Sequence, residues 1–295
     1  MQRILVATDF SPHADRALNH ALELAKLFGA ELEIFSSAYV PPQALAAVAL
    51  GMAPGLIDDA RKEVRQKVDT LAGHLRARDV RATGATSSEE PSTAICARAK
   101  EIRADLIALG TRGHTGLAHV VMGSVAERVA RLAPCAVLSA HAESPAPAPY
   151  RRVLVPTDFS PDSDAAVAWA KQVVTRTSGK LVLVHAYDLT QLALTGSPLT
   201  AGAVASAGIE KALADSARAK LAELAQSLRG VDVETHISAS RPDPAIHEAA
   251  ERTHADLIVM GTRGRSGLAH VLLGSTAERV IRRAQLPVVT VKAAG

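Results

Sequence analysis

Apolar residues along this chain fall into short unbroken runs, and longer stretches separate them in which apolar positions recur at helical spacing. The first run is Ile4–Thr8. Ser11-Pro12 then reads as an N-cap followed by proline in the first turn, opening a helix that turns Ala17, Leu18, Ala21, Leu22 and Leu24 inward. The pattern next predicts a strand near Glu31–Ser37, a helix near Ile57–Arg76 and a strand near Val80–Ala85. A helix from about Pro91, a strand at Asp105–Leu109, a helix from Ser124 and a strand at Ala136–Ser139 complete the series. The same alternation then begins again, with strands at Val153–Thr157, Leu181–Val184, Val231–His236, Leu257–Met260 and Val288–Val291.

Strands that are apolar on both faces and alternate with helices imply a parallel sheet covered on both sides, joined by right-handed crossovers. The expected fold class is therefore α/β, with two repeated doubly wound domains. Each is expected to hold a five-stranded parallel sheet of order 3-2-1-4-5.

The second half repeats the first. Arg3–Pro12 returns as Arg152–Pro161 with eight of ten positions identical, and Ala104–Leu132 returns as Ala255–Arg283 with 20 identities in 29. Their offset drifts only from 149 to 151, which marks duplication of a whole domain and not a short solenoid unit. Residues 142–150, Ala-Glu-Ser-Pro-Ala-Pro-Ala-Pro-Tyr, carry alternating prolines that disfavour helix and sheet, so they read as a linker between domains 1–141 and 151–295. Val40–Gly55 and Leu189–Gly208 are long for connections between a strand and a helix. They read as mobile flaps over a site, with membrane contact as an alternative.

Composition narrows the picture. Hydrophobic residues make up 48% of the chain and aromatics only 3%, so two cores must be packed from Ala, Val, Leu and Ile. The net charge of +3 is spread evenly, with 16 basic and 16 acidic residues up to residue 148 and 17 and 14 beyond it. Neither half carries the basic concentration of a nucleic-acid binder. No apolar run reaches the roughly 18 residues of a membrane helix, and the N-terminus turns polar too soon for a signal peptide. Cys96 and Cys135 form no disulfide framework, and a reducing cytoplasm is the expected location. Both thiols read as inert and Trp169 as core. His119 and His270 read as helix-lining or surface residues, and the histidines show no zinc spacing.

The chemistry concentrates in Gly110-Thr-Arg-Gly113, nine residues, then Gly123-Ser124, and in its twin Gly261-Thr-Arg-Gly264, nine residues, then Gly274-Ser275. Each follows an apolar strand and enters a helix, so glycines would let the backbone turn sharply and approach a ligand. The helix beginning at Ser124 would present unpaired N–H groups to an anion. An alternative needs no ligand: Ser124-Val-Ala-Glu127 and Ser275-Thr-Ala-Glu278 both fit a capping box. In the expected strand order, strands one and four are neighbours where the topology switches, so Thr8-Asp9 faces Gly110 and Thr157-Asp158 faces Gly261. Each carboxylate could accept from ribose hydroxyls or help hold a metal ion, or it could simply cap the next helix.

With its glycine pattern G-x2-G-x9-G-[S/T] in both copies and the strand-one aspartate before each, the chain resembles a tandem universal stress protein of the ATP-binding type over nearly its whole length. The resemblance implies that ATP, with Mg2+ on its phosphates, is the cofactor. It implies that Asp9 and Asp158, with Thr8 and Thr157, sit by the ribose and phosphates, and that Ala38 and Ala186 offer backbone contacts to adenine. Gly110, Arg112, Gly113, Gly123, Ser124 and Val125 would line the phosphates of one site. Gly261, Arg263, Gly264, Gly274, Ser275 and Thr276 would line those of the other. The copies differ at His114 against Arg265, and the permanent cation at 265 points to tighter phosphate binding at the second site. They also differ in strand two, where Ser36-Ser37 is read against Val184-His185. As to partners, the resemblance implies pairing of the two copies within the chain; a homodimer and a further protein partner are also expected.

The function expected is an ATP-binding regulatory protein of the stress response, acting by nucleotide-dependent conformational change. Two alternatives stand beside it: a slow ATP hydrolase or phosphotransferase, and a structural dimer module without nucleotide. No G-x-x-x-x-G-K-[S/T] supplies a P-loop lysine. A Rossmann dehydrogenase is disfavoured, because Thr8-Asp9-Phe10-Ser11-Pro12 has no glycine after strand one.

Overall fold

The computed structural model describes residues 1–42, 55–112, 122–187, 207–264 and 273–293. The expected flaps fall largely outside the described residues, as do Gly113, His114, His119, Arg265 and His270. The chain divides into two compact units, Met1–Pro147 and Ala148–Gly295.

In the first unit, strands β1 (Arg3–Ala7), β2 (Glu31–Ser37), β3 (Ala82–Ser87), β4 (Leu106–Gly110) and β5 (Ala136–Ala140) alternate with helices α1 (Pro12–Phe28), α2 (Leu56–Arg76), α3 (Pro91–Glu101) and α4 (Ser124–Leu132). All strand pairs are parallel, in the order β3-β2-β1-β4-β5. The second unit has β6 (Arg152–Pro156), β7 (Lys180–Ala186), β8 (Asp232–Ser238), β9 (Leu257–Gly261) and β10 (Val288–Val291). Its helices are α5 (Pro161–Thr177), α6 (Ala207–Ser227), α7 (Pro242–Arg252) and α8 (Ser275–Arg283), and its parallel order is β8-β7-β6-β9-β10. Each unit therefore has the expected 3-2-1-4-5 order, with its first and fourth strands side by side. No helix among the described residues is long and apolar enough to cross a membrane.

The apolar runs become strands because both of their faces are buried. Ile4, Leu5, Val6, Leu106, Ile107 and Ala108 are fully inaccessible, as are Val153, Leu154, Val155, Leu257 and Val259. The third strand of each unit starts later than the apolar pattern suggested. The N–H of Val80 donates to Leu75 O (3.1 Å) at the end of α2, and that of Val231 donates to Leu228 O (3.2 Å) in the turn after α6, so neither valine joins the ladder. Trp169, expected in the core, is half-buried, because Ala166, Val167, Ala170, Val173 and Val174 take the inward face of α5. Cys96 and Cys135 are half-buried and form no disulfide.

Helices α1 and α5 open alike and close differently. Ser11 Oγ accepts from Ala14 N (3.3 Å) and Ser160 Oγ from Ser163 N (3.4 Å), each followed by proline. The α1 helix ends on Gly29 in the left-handed region (φ 65°), whereas α5 ends there on Ser178 (φ 51°). A side chain in that region costs about 1–2 kcal/mol, partly offset in glycine by its greater freedom when unfolded. Ser178→Gly is therefore expected to stabilise the second unit by about 0.5–1 kcal/mol. A higher urea midpoint is the readout, and a lower one would contradict the strain.

Candidate functional site

The turn leaving the first strand is built identically twice. Thr8 Oγ1 accepts from Phe10 N (2.9 Å) and Asp9 Oδ1 from Ser11 N (3.0 Å). Thr157 and Asp158 repeat this with Phe159 N (3.0 Å) and Ser160 N (3.1 Å). These bonds hold Phe10 (φ 62°) and Phe159 (φ 60°) in the left-handed region, which a bulky residue occupies only at a cost. The helix caps are Ser11 and Ser160, so the aspartates brace the turn and do not serve as N-caps. One carboxylate oxygen of each accepts from the turn. In the second unit the other oxygen lies by the glycine loop: a Cβ built on Gly264 would stand 2.8 Å from Asp158 Oδ2.

The loop glycines serve close approach. Among the described residues of both loops none has positive φ, and the backbone bends at residues 111–112 and 262–263. A Cβ on Gly110 would meet the Cβ and carbonyl carbon of His13 at 2.7 Å, and one on Gly261 would meet those of Asp162 at 2.9 and 2.8 Å. These two glycines seat α1 and α5 against the sheet. Gly123 and Gly274 lie against Thr111 O and Thr262 O, to which their N–H groups donate at 2.8 Å.

That arrangement decides how α4 and α8 begin. Their N-caps are Gly123 and Gly274, and no side chain caps either helix. Ser124 and Ser275 are the first helical residues, so the capping box with Glu127 and Glu278, offered by the sequence as the alternative, does not form. The N–H groups of Glu127 and Glu278 already donate to the cap carbonyls (3.0 Å). The amides of residues 124–126 and 275–277 have no acceptor within their helices. All six residues line cavities. Bare amides at the positive end of a helix favour an anion.

Each cavity lies beyond the carboxyl ends of the first and fourth strands. In the first unit the volume is ≈490 Å3, and Thr8, Asp9, Gly110, Arg112, Gly123, Ser124 and Val125 line it. In the second it is ≈170 Å3, lined by Thr157, Asp158, Ala186, Gly261, Arg263, Gly264, Gly274, Ser275 and Thr276. The sites expected from sequence are thus brought together, apart from Ala38 and from Gly113 outside the described residues. Ala38 N donates to Ser87 O (2.8 Å) just as Tyr187 N donates to Ser238 O (3.0 Å). The counterpart of Ala186 is therefore Ser37, and the repeated Ala-Tyr pair misaligned the copies by one residue. The same register sets His185 opposite Ser36. The His185 ring packs on Phe159 (centroids 4.8 Å apart) and its Nδ1 is bonded to Thr157 O (2.7 Å), a bulky group where the first unit has a buried serine.

Sequence reasoning missed Lys67, which lines the larger cavity with its Nζ 5.8 Å from the Phe10 ring centroid. Lys220 stands similarly over Phe159 (5.7 Å). Neither belongs to the glycine motif, and only the return of a lysine on the same helix of each copy marks them. It also missed Asp162. This buried carboxylate accepts from Thr262 Oγ1 (2.9 Å), Arg263 N (3.1 Å), Arg263 Nε (3.1 Å), Arg263 Nη2 (3.2 Å) and Ala293 N (3.1 Å). Burial alone would raise its pKa, but the Arg263 hydrogen bonds, with those of Ala293 and Thr262, hold it below the ordinary value.

A family model described as the universal stress protein family matches residues 1–141 and again 149–292. A universal stress protein of Methanocaldococcus jannaschii is 34% identical over 143 residues, which is 48% of this chain and 82% of that protein. One of Mycobacterium tuberculosis is 30% identical over 192 residues, 64% of this chain, and the match spans only 62% of its length. Among solved structures, a universal stress protein from Archaeoglobus fulgidus superposes over 99% of this chain and 98% of its own, with a TM-score of 0.74 at 24% identity.

The Asp162–Arg263 contact carries its own pH signature. A carboxyl held below its unfolded value of 3.8 contributes stability that is complete above that pH and is lost as pH falls through the folded value. Carboxyl-carbon NMR of Asp162 is expected to show a midpoint below 3.8, and a midpoint above it would mean that burial outweighs the hydrogen bonds.

Proposed function

Because the chain belongs to the universal stress protein family, we propose that it is an ATP-binding regulatory protein of the stress response, with one nucleotide site in each unit. The phosphates would lie against the bare amides of residues 124–126 and 275–277. Asp9 and Asp158 would accept from ribose hydroxyls or meet a Mg2+ carried by the phosphates. Adenine would extend toward the ends of β2 and β7, past Ser37 and Ala186. Nucleotide would favour one arrangement of the loops over another, and a partner would distinguish the two.

One observation supports this reading above the rest. Two helices begin on glycine without any side-chain cap, and each opens into a cavity that also holds the strand-one aspartate. The chemistry fits a ribose and an anionic tail: donors at one end and a carboxylate at the other. The ≈490 Å3 of the first cavity falls in the range of about 300–1,000 Å3 usual for small-molecule sites.

Mass spectrometry of ligand released from purified protein, together with equilibrium dialysis, tests the proposal. ATP is expected to bind, and at about 100 times Kd it would stabilise the fold by about 2.7 kcal/mol. Gly264→Val is expected to weaken binding at the second site alone, since its Cβ would displace the Asp158 carboxylate at Oδ2. No bound nucleotide and an unchanged melting temperature with ATP would sink the reading. A turnover well above roughly one per second, lost in Asp158→Ala, would replace it with an enzyme.

A further inference from the structure

The two units share a backbone under the glycine loop and differ in the side chain placed there. Position 162 is an aspartate and its counterpart is His13. The equivalence is geometric: Ala293 N donates to Asp162 Oδ1 (3.1 Å), and Ala142 N donates to His13 Nδ1 (2.9 Å). Gly261 packs on Asp162 as Gly110 packs on His13. The consequence for the loop arginine is large. Arg263 is held by three hydrogen bonds to Asp162, one from its main chain and two from its guanidinium. Arg112 lies in the field of His13, which can hold no guanidinium in this way, and Arg112 Nε is buried without a hydrogen-bond partner while the residue lines the cavity.

His13 is also poorly suited to the other role its surroundings suggest. His13, His141 and Glu143 bring possible metal-ligand atoms within 4.8 Å of one another. An Nδ1 that accepts an amide hydrogen leaves the proton of a neutral imidazole on Nε2, with no lone pair for a metal. Burial, against the pull of Glu143 and with the charges of His141 and Arg112, keeps His13 below the ordinary imidazole range. A neutral ring is the species that accepts from Ala142.

We infer that the first site selects its nucleotide by the length of the phosphate tail, through Arg112, and that the second site does not, because Asp162 already occupies Arg263. This rests on the nucleotide binding proposed above and names the residue pair, His13 and Asp162, that makes the sites unequal. It reverses the expectation from Arg265 that the second site holds phosphate more tightly. A charge-assisted hydrogen bond to a phosphate oxygen is commonly enough for a tenfold effect or more.

The test is a methyl-NMR titration of the full chain with ATP and with AMP, reading the first site at Val125 and the second at Met260. In the unaltered protein the preference for ATP over AMP is expected to be at least about tenfold greater at Val125 than at Met260. His13→Asp is expected to bring the first site down to the preference of the second, and position 162 shows that the backbone accommodates the aspartate. Asp162→Asn, which weakens the hold on Arg263, is expected to raise the preference of the second site. Equal preferences in the unaltered protein would overturn the inference, as would ATP binding at the first site that His13→Asp leaves unchanged. Failure of both sites to bind either nucleotide would remove the broader nucleotide reading and this inference with it.

Discussion

At the carboxyl end of β4 a hydrogen stands where any other residue would place carbon, and the first turn of α1 takes that space. Gly261 and α5 repeat the arrangement. The approach brings the first helix directly beneath the loop that leaves the fourth strand, so residue 13 or 162 becomes part of the loop's support. It also fixes the turn between β1 and α1, whose aspartate then stands near the same loop. A single added methyl at either glycine would move helix and strand apart and pull these groups out of register.

The second dependence is electrostatic. A serine cap would serve the amides of α4 and α8 from within the protein, and a glycine cap does not. Across each cavity stands a carboxylate held by its own turn amide. Like charges would repel an anion entering from that side, so a ligand with a polar, neutral middle and an anionic end suits the cavity better than a small free anion. The left-handed phenylalanines belong to the same construction, because Thr8 and Asp9, or Thr157 and Asp158, each use an oxygen to hold that turn.

Much of this was legible in the sequence. Unbroken apolar runs gave the strands, because those strands are buried on both faces, and duplication gave the two units. The glycine motif with its preceding aspartate located the polar and glycine side of each cavity, but not the apolar residues such as Phe35, Ile95, Val184 and Ile246 that complete the lining. What escaped had physical reasons. Ser124 and Glu127 have capping-box spacing, but the box needs serine one position before the helix, and Gly123 holds that place. Ala38 and Ala186 look equivalent because each precedes a tyrosine, whereas the ladder bonds of Ala38 and Tyr187 set the register. The role of Asp162 could not be read locally, since its partners lie about a hundred residues away or more. Lys67 reaches its cavity through the packing of α2, which no motif encodes.

Fusion of the two copies fixes their ratio. Separate chains assembling in pairs would carry identical cradles, and any change in one would appear in both. Here a substitution such as that between His13 and Asp162 alters one cradle and spares its neighbour. Every molecule then carries one of each kind, and if both cradles bind the proposed ligand, unequal ones on one polypeptide would fill over a broader span of concentration than a matched pair.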